Sequence, residues 1–257
     1  MSGGSIPPLD PHVAARKGFR EAEDRIKRFW KTVAVEPGEG GWRVLLDGRS
    51  PKTPVGHALT LPTEATARLV ADEWTAQGEH LDPATMPATR LASTAIDRIP
   101  MARTETAEEI ARYAGSDGLC YFADGPESLI ARQQAEWGPW LDWADRDLGV
   151  RLIRAEGIGH VAQPPESLIR VRDLALDLDD FALTGLATAV GLFGSAVLAL
   201  ALQRGALSGE VAFDLSRLEE AHQESQWGVD AEAAQRTANR RAEAGLLEQW
   251  FGALGAA

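Results

Sequence analysis

From Thr32 the chain alternates apolar and polar residues in short runs, T-V-A-V-E and W-R-V-L-L-D, separated by P-G-E-G-G and closed by the D-G-R turn. Period-two alternation between glycine-rich turns predicts a β-meander. A-L-T-L-P adds an extended run, with Pro62 at a helix entrance and Thr63 as its cap. Ala67, Val70, Ala71 and Trp74 then recur at helical spacing, setting the Trp74 indole on the inner face of a helix that runs to Gln77. Ahead of the meander, Val13 to Trp30 mixes Arg, Lys and Glu with Phe19, Ile26, Phe29 and Trp30, which predicts an amphipathic helix serving as an arm or lid.

Gly78 to Pro87 is a proline-bearing loop, and no meander returns after it. The predicted fold is α+β: an N-terminal antiparallel β-rich domain over residues 1–85, followed by a mostly α-helical domain over 86–257. Helices are outlined by Leu91 to Arg98, by Thr104 to Ala111, and by Glu127 to Leu148, the last kinked or split at Gly138-Pro139. Gly115 to Asp124 and Arg151 to Ala155 are extended, and Pro164-Pro165 restarts the helical pattern. Phe181 to Leu202 carries no charge and meets the length test for a membrane span. Gly185, Gly191 and Gly194 interrupt it, and no basic cluster flanks it. Two short buried helices meeting near Gly191 to Gly194 are expected at the centre of the helical domain, and Ala231 to Trp250 completes it as an amphipathic helix.

The stretch from Ser208 to Gly228 predicts one helix, with Ser208 as N-cap and Gly228 as its stop. Val211, Leu215, Leu218, His222 and Ser225 form the stripe expected to pack on the body. The opposite stripe holds Phe213, Glu220 and Trp227, with Gln223 beside them and Glu219 and Glu224 on the flanks. Two readings of that stripe stand side by side. The aromatics are buried against a neighbour while the glutamates solvate the edges, or the group is a contact surface.

Composition narrows the function. With 26 basic against 38 acidic residues the formal net charge is −12, the wrong sign for a nucleic-acid binder. Cys120 is the only cysteine, so neither an internal disulfide nor a cysteine-built zinc site is available. The first residues lack the features of a signal or transit peptide, which fits a cytoplasmic bacterial protein or, for a processed eukaryotic form, one of the mitochondrial matrix. Chemistry is sparse. There is no G-x-S-x-G elbow, no phosphate loop, no G-x-G-x-x-G and no H-E-x-x-H. The five histidines are scattered, G-I-G-H at 157–160 reads as a turn, and D-L-D-D at 177–180 lacks the rest of a calcium loop. No catalytic residue, metal site or cofactor is predicted.

Four blocks carry a family resemblance. They are W-R-V-L-L-D-G-R-S-P-K-T-P with L-T-L-P-T-E and V-A-D-E-W-T-A-Q-G, then D-P-A-T-M-P-A-T-R-L-A-S-T-A-I-D-R, then D-G-L-C-Y-F-A-D, then S-R-L-E-E-A-H-Q-E-S-Q-W-G. In this order they resemble the assembly chaperone of the ATP synthase catalytic sector that acts on the alpha subunit. In the second block Ala88 stands where a larger apolar residue is expected. The resemblance implies a non-enzymatic protein, monomeric when free, that holds the alpha subunit against aggregation until it pairs with beta and uses no nucleotide. Glu219, Glu220, Gln223, Trp227 and Phe213 are then the expected partner-binding residues. Glu219, about 100° from Leu218, alternatively sits at the core edge and positions the helix through an ion pair. An enzyme with an unrecognised acidic site and a permanent subunit of a larger complex are the rival classes.

Overall fold

A computed structural model describes residues 26–157, 159–228 and 230–255. The predicted meander is a three-stranded antiparallel sheet, β1 (Val33–Gly38), β2 (Gly41–Leu46) and β3 (Thr60–Leu61), in the order β1-β2-β3. β1 and β2 form a hairpin in which Gly38 faces Gly41, and Gly40 takes the left-handed backbone that its tight turn requires, at φ 78°. Helix α1 (Glu64–Ala76) lies on the sheet, capped by Thr63, whose hydroxyl accepts from the Thr66 amide.

The arm predicted from Val13 falls outside the described residues as far as Asp24 and Arg25. Ile26 to Trp30, its described end, is extended rather than helical. The Arg28 amide donates to the Glu79 carbonyl and the Leu81 amide to that of Ile26. Burial explains the difference, since Trp30 turns inward while Ile26 and Phe29 remain exposed.

After a 3₁₀ turn at Pro83–Thr85, the chain is mostly helical: α2 (Pro87–Asp97), α3 (Ile99–Ala114), α4 (Glu127–Glu136), α5 (Gly138–Trp143), α6 (Pro165–Leu176), α7 (Asp180–Phe193), α8 (Ala196–Gln203), α9 (Gly209–Ser216), α10 (Leu218–Trp227) and α11 (Ala231–Leu254). A short parallel pair, β4 (Tyr121–Phe122) with β5 (Ala155–Glu156), interrupts them. Across residue 85, where the sequence suggested a domain boundary, buried side chains run continuously from Val44 and Leu61 through Val70 and Leu91 to Phe251.

Two carboxylates tie the first two sequence blocks together. Met86, at the start of α2, offers no side-chain cap, and Glu73 of α1 supplies one by accepting from the Ala88 and Thr89 amides at 2.6 and 2.8 Å. This explains the small residue at 88, which is fully buried where the Glu73 carboxylate meets the helix end. At the other end of α2, Asp97 accepts from the Thr53 hydroxyl at 2.6 Å and pairs with His57 Nδ1 at 2.9 Å. Burial pushes the Asp97 carboxyl up, but its bonds from Thr53, His57 and Val55 outweigh that and hold it below its ordinary value. A carboxyl depressed in the folded state adds stability that is complete above its unfolded pKa and is lost as pH falls through the folded value. Asp97→Asn is therefore expected to flatten the acid limb of the stability curve. Urea unfolding at a series of pH values below about 5 checks this, and a limb as steep as the parent's would contradict it.

The uncharged stretch from Phe181 folds as α7 and α8, which meet at Gly194 in the left-handed conformation (φ 64°), and Ser195 caps α8 by accepting from the Leu198 amide. Every residue of α8 is buried, and no helix among the described residues is long and apolar enough to cross a membrane. α9 packs on α8 and α11. Its contact with α11 is closest at Gly209, where a Cβ would collide with the Ala244 carbonyl.

The single helix expected from Ser208 to Gly228 is two helices. Ser208 does cap the first and Gly228 does end the second, but the chain breaks at Arg217 (φ −116°, ψ 20°). The Ser216 hydroxyl donates to the Phe213 carbonyl at 2.7 Å, competing with the helical bond that would continue the spiral. The break rotates α10 relative to α9, so Phe213, Glu220 and Trp227 share no stripe. Phe213 is 1% exposed, beneath the Arg217 guanidinium 5.9 Å from its ring, and it is a packing residue rather than part of a contact surface. Val211, assigned above to the packing stripe, is exposed.

Candidate functional site

A cavity of about 590 Å³ opens between the segment Gly118–Gly125 and the start of α10. Leu119, Phe122, Leu129, Trp137 and Phe193 make its apolar lining, and Asp124, Glu219, Glu220 and Gln223 its polar one. Each wall is fixed from below. The fully buried Asp117 accepts from the Leu119 amide at 3.1 Å and from the Val197 amide at 3.0 Å, which seats the loop on the N-terminus of α8. The Gly118 amide donates to the Gly194 carbonyl at 3.1 Å, so the same loop also holds the α7–α8 turn. Burial pushes the Asp117 carboxyl up, and donors from Ser195, Val197, Leu119 and Ala196 pull it back only in part.

The second wall is α10. Gln133 of α4, fully buried, accepts from the Ala123 amide at 2.8 Å and donates to Glu219 Oε1 at 2.6 Å. One amide thus joins the loop wall to the helix wall. Trp137 closes the junction by donating its indole N–H to the Leu215 carbonyl at 2.9 Å and meeting the Phe122 ring edge-on at 5.9 Å.

Glu219, Glu220 and Gln223 therefore converge on one cavity. Glu219 is half-buried and faces inward, held by a hydrogen bond to Gln133 where an ion pair was the alternative expectation. Glu220 and Gln223 are exposed. Trp227, at the end of α10, is 88% exposed and lies outside the cavity lining; Phe213 lies in the core. Sequence reasoning missed Asp117, Asp124 and Gln133. Gln133 had a signal, because it falls between Leu129 and Trp137 on a helical i, i+4 stripe whose other members are buried. Nothing in the spacing of Asp117 and Asp124 distinguishes the carboxylate that turns inward from the one that lines the opening.

Among the residues lining the cavity none is basic and none is a histidine, so its charges are all of one sign. Among the described residues no group of His, Cys, Asp and Glu is arranged to hold a metal ion.

The family model described as ATP12 chaperone protein matches residues 27–145, which hold the sheet, α1 to α5 and the loop wall of the cavity. A crystal structure of Atp12 from Paracoccus denitrificans is 40% identical with a TM-score of 0.83, covering 89% of this chain and 98% of that one. The chain belongs to the ATP12 chaperone family. Its members are assembly chaperones of the F1 ATP synthase. A crystal structure of the Atu1473 protein from Agrobacterium tumefaciens is equally identical at 40%, with a TM-score of 0.85 over 96% of this chain and 92% of that one. The mitochondrial protein atp12 of Schizosaccharomyces pombe is 28% identical over 219 residues, which span 79% of this chain and 74% of that protein. These Atp12 relatives thus include bacterial and mitochondrial proteins.

Proposed function

We propose that this chain is a non-enzymatic chaperone that holds the free alpha subunit of the ATP synthase catalytic sector until it pairs with beta, and that α10 and the adjoining cavity are its contact surface. The observation that carries the reading is the convergence of Glu219, Glu220 and Gln223 on one apolar-floored cavity, with Trp227 standing 88% exposed on the same helix. A subunit released before assembly presents a face meant for burial, and exposed apolar patches of that kind aggregate or self-associate wrongly. Its holder must bind it and still yield to the proper partner. A contact mixing an aromatic with charge suits moderate, displaceable affinity better than a dry apolar one. The lining's charged groups are all carboxylates and its Ser216 hydroxyl is turned back onto the Phe213 carbonyl, an arrangement that supports binding rather than catalysis. We place the protein in the bacterial cytoplasm, or in the matrix for a processed mitochondrial form, a reading supported by the relatives' sources.

Charge reversal separates the roles on α10. Glu220→Lys and Trp227→Ala alter exposed side chains and are expected to melt like the parent while keeping at least about fivefold less co-expressed alpha soluble, a loss of roughly 1 kcal/mol in binding. Glu219→Lys breaks the bond to buried Gln133 and is expected to lose binding together with about 1–3 kcal/mol of stability. Thermal melts and the soluble alpha fraction read both. If Glu220→Lys and Trp227→Ala protect alpha as well as the parent, α10 is not the recognition element, and the loop Gly78–Pro87 becomes the next candidate.

A further inference from the structure

Resting on the reading of the cavity as a partner-binding surface, we propose that its occupant is an arginine side chain of the bound protein. Charge points first. Several acids in this part of the molecule have cations, Glu224 with Arg217 at 2.6 Å, Asp142 with Arg154, and Glu210 and Asp214 with Arg241. Among the described residues, Asp124, Glu219 and Glu220 have no Lys, Arg or His within ion-pair distance, although Arg217 stands at the head of the same helix. The cavity thus presents three carboxylates with no ion-pair partner among the described residues, in a chain whose formal net charge is −12.

Size and lining then select the cation. The carboxylates are not grouped closely enough to hold a metal ion, and about 590 Å³ is space for an organic group. The floor is apolar and partly aromatic, with Phe122 and Trp137. A guanidinium is planar and weakly hydrated, so it lies against such a floor while its fork reaches two carboxylates; an ammonium holds its water and makes a point contact. The acceptor is also preorganised, because Gln133 fixes Glu219 before any partner arrives, which lowers the ordering cost of binding.

The test titrates the isotope-labelled full chain with N-acetyl-arginine methylamide, its lysine counterpart and the neutral citrulline counterpart, following backbone amides by NMR. The arginine probe is expected to shift amides of residues 118–125 and 219–223 saturably and to bind at least about tenfold more tightly than citrulline, with lysine between them. Asp124→Asn/Glu220→Gln, or Glu220→Gln alone should the pair melt early, is expected to remove that preference. Equal binding of the arginine and citrulline probes, arginine shifts elsewhere on the molecule, or an undiminished preference in the variants would overturn the proposal. The same variants co-expressed with alpha keep the two readings distinct. Alpha held equally by parent and variants removes the arginine pocket from alpha recognition and leaves the chaperone reading standing, whereas a specific arginine response in a parent that fails to hold alpha removes the chaperone reading and leaves the pocket.

Discussion

Trp74→Arg is expected to lower stability by about 3–5 kcal/mol and the melting temperature by roughly 10 °C or more. Trp74 packs against the core from α1 and meets the buried Trp30 edge-on at 5.0 Å. Its indole nitrogen is buried without a hydrogen-bond partner among the described residues, so the substitution sacrifices packing rather than a polar bond. Trp74 is half-buried, and an arginine there leaves a void against the Trp30 ring and sets a charge at the edge of the core. It also approaches the Arg28 guanidinium, which already lies 5.4 Å from the Trp30 ring, and like charges repel. Thermal unfolding followed by circular dichroism measures the loss. A soluble variant melting with the parent would show that the indole is not a structural support.

The second large effect is expected at Asp117. Asp117→Ala strips acceptors from the Leu119 and Val197 amides, both buried, and releases the cavity loop from the end of α8. Each orphaned donor costs about 1–3 kcal/mol, so a total of roughly 3–5 kcal/mol follows. Asp117→Asn keeps one acceptor oxygen but turns an NH2 donor toward the other amide, and is expected to lose roughly half as much or somewhat more. Because the loop is one wall of the cavity, the Ala variant should also hold less alpha at temperatures where it remains folded. Denaturant unfolding of both variants reads the stability term; equal, small losses would mean that the loop is held by other contacts.

Much of the fold was legible because its signals are local. The meander came from period-two alternation between glycine turns, and the division of the uncharged stretch into α7 and α8 from the glycine that occupies a left-handed position at 194. Caps at Thr63 and Ser208 obey the same short-range chemistry. What escaped depends on partners distant in sequence. Ser216 and Arg217 carry no strong breaker, and the split between α9 and α10 follows from a hydroxyl turned back onto the Phe213 carbonyl. Of the two readings of Phe213, burial against a neighbour holds, and the contact reading rested on drawing that helix unbroken. In the site, the glutamates were legible as residues off the packing face, but the cavity they line was not. It is made by the Asp117–α8 and Gln133–Glu219 bonds, the latter spanning 86 residues of chain.

The central claim is that the protein holds alpha and gives it up to beta. The direct measurement is to purify alpha co-expressed with this chain, add beta without nucleotide, and follow the species by size-exclusion chromatography with mass detection. The account predicts a complex of this chain with alpha that beta dissolves, releasing the chain as a free monomer while alpha passes into an assembly with beta. Recovery of no complex, or of a complex that retains this chain after beta has joined, would contradict it.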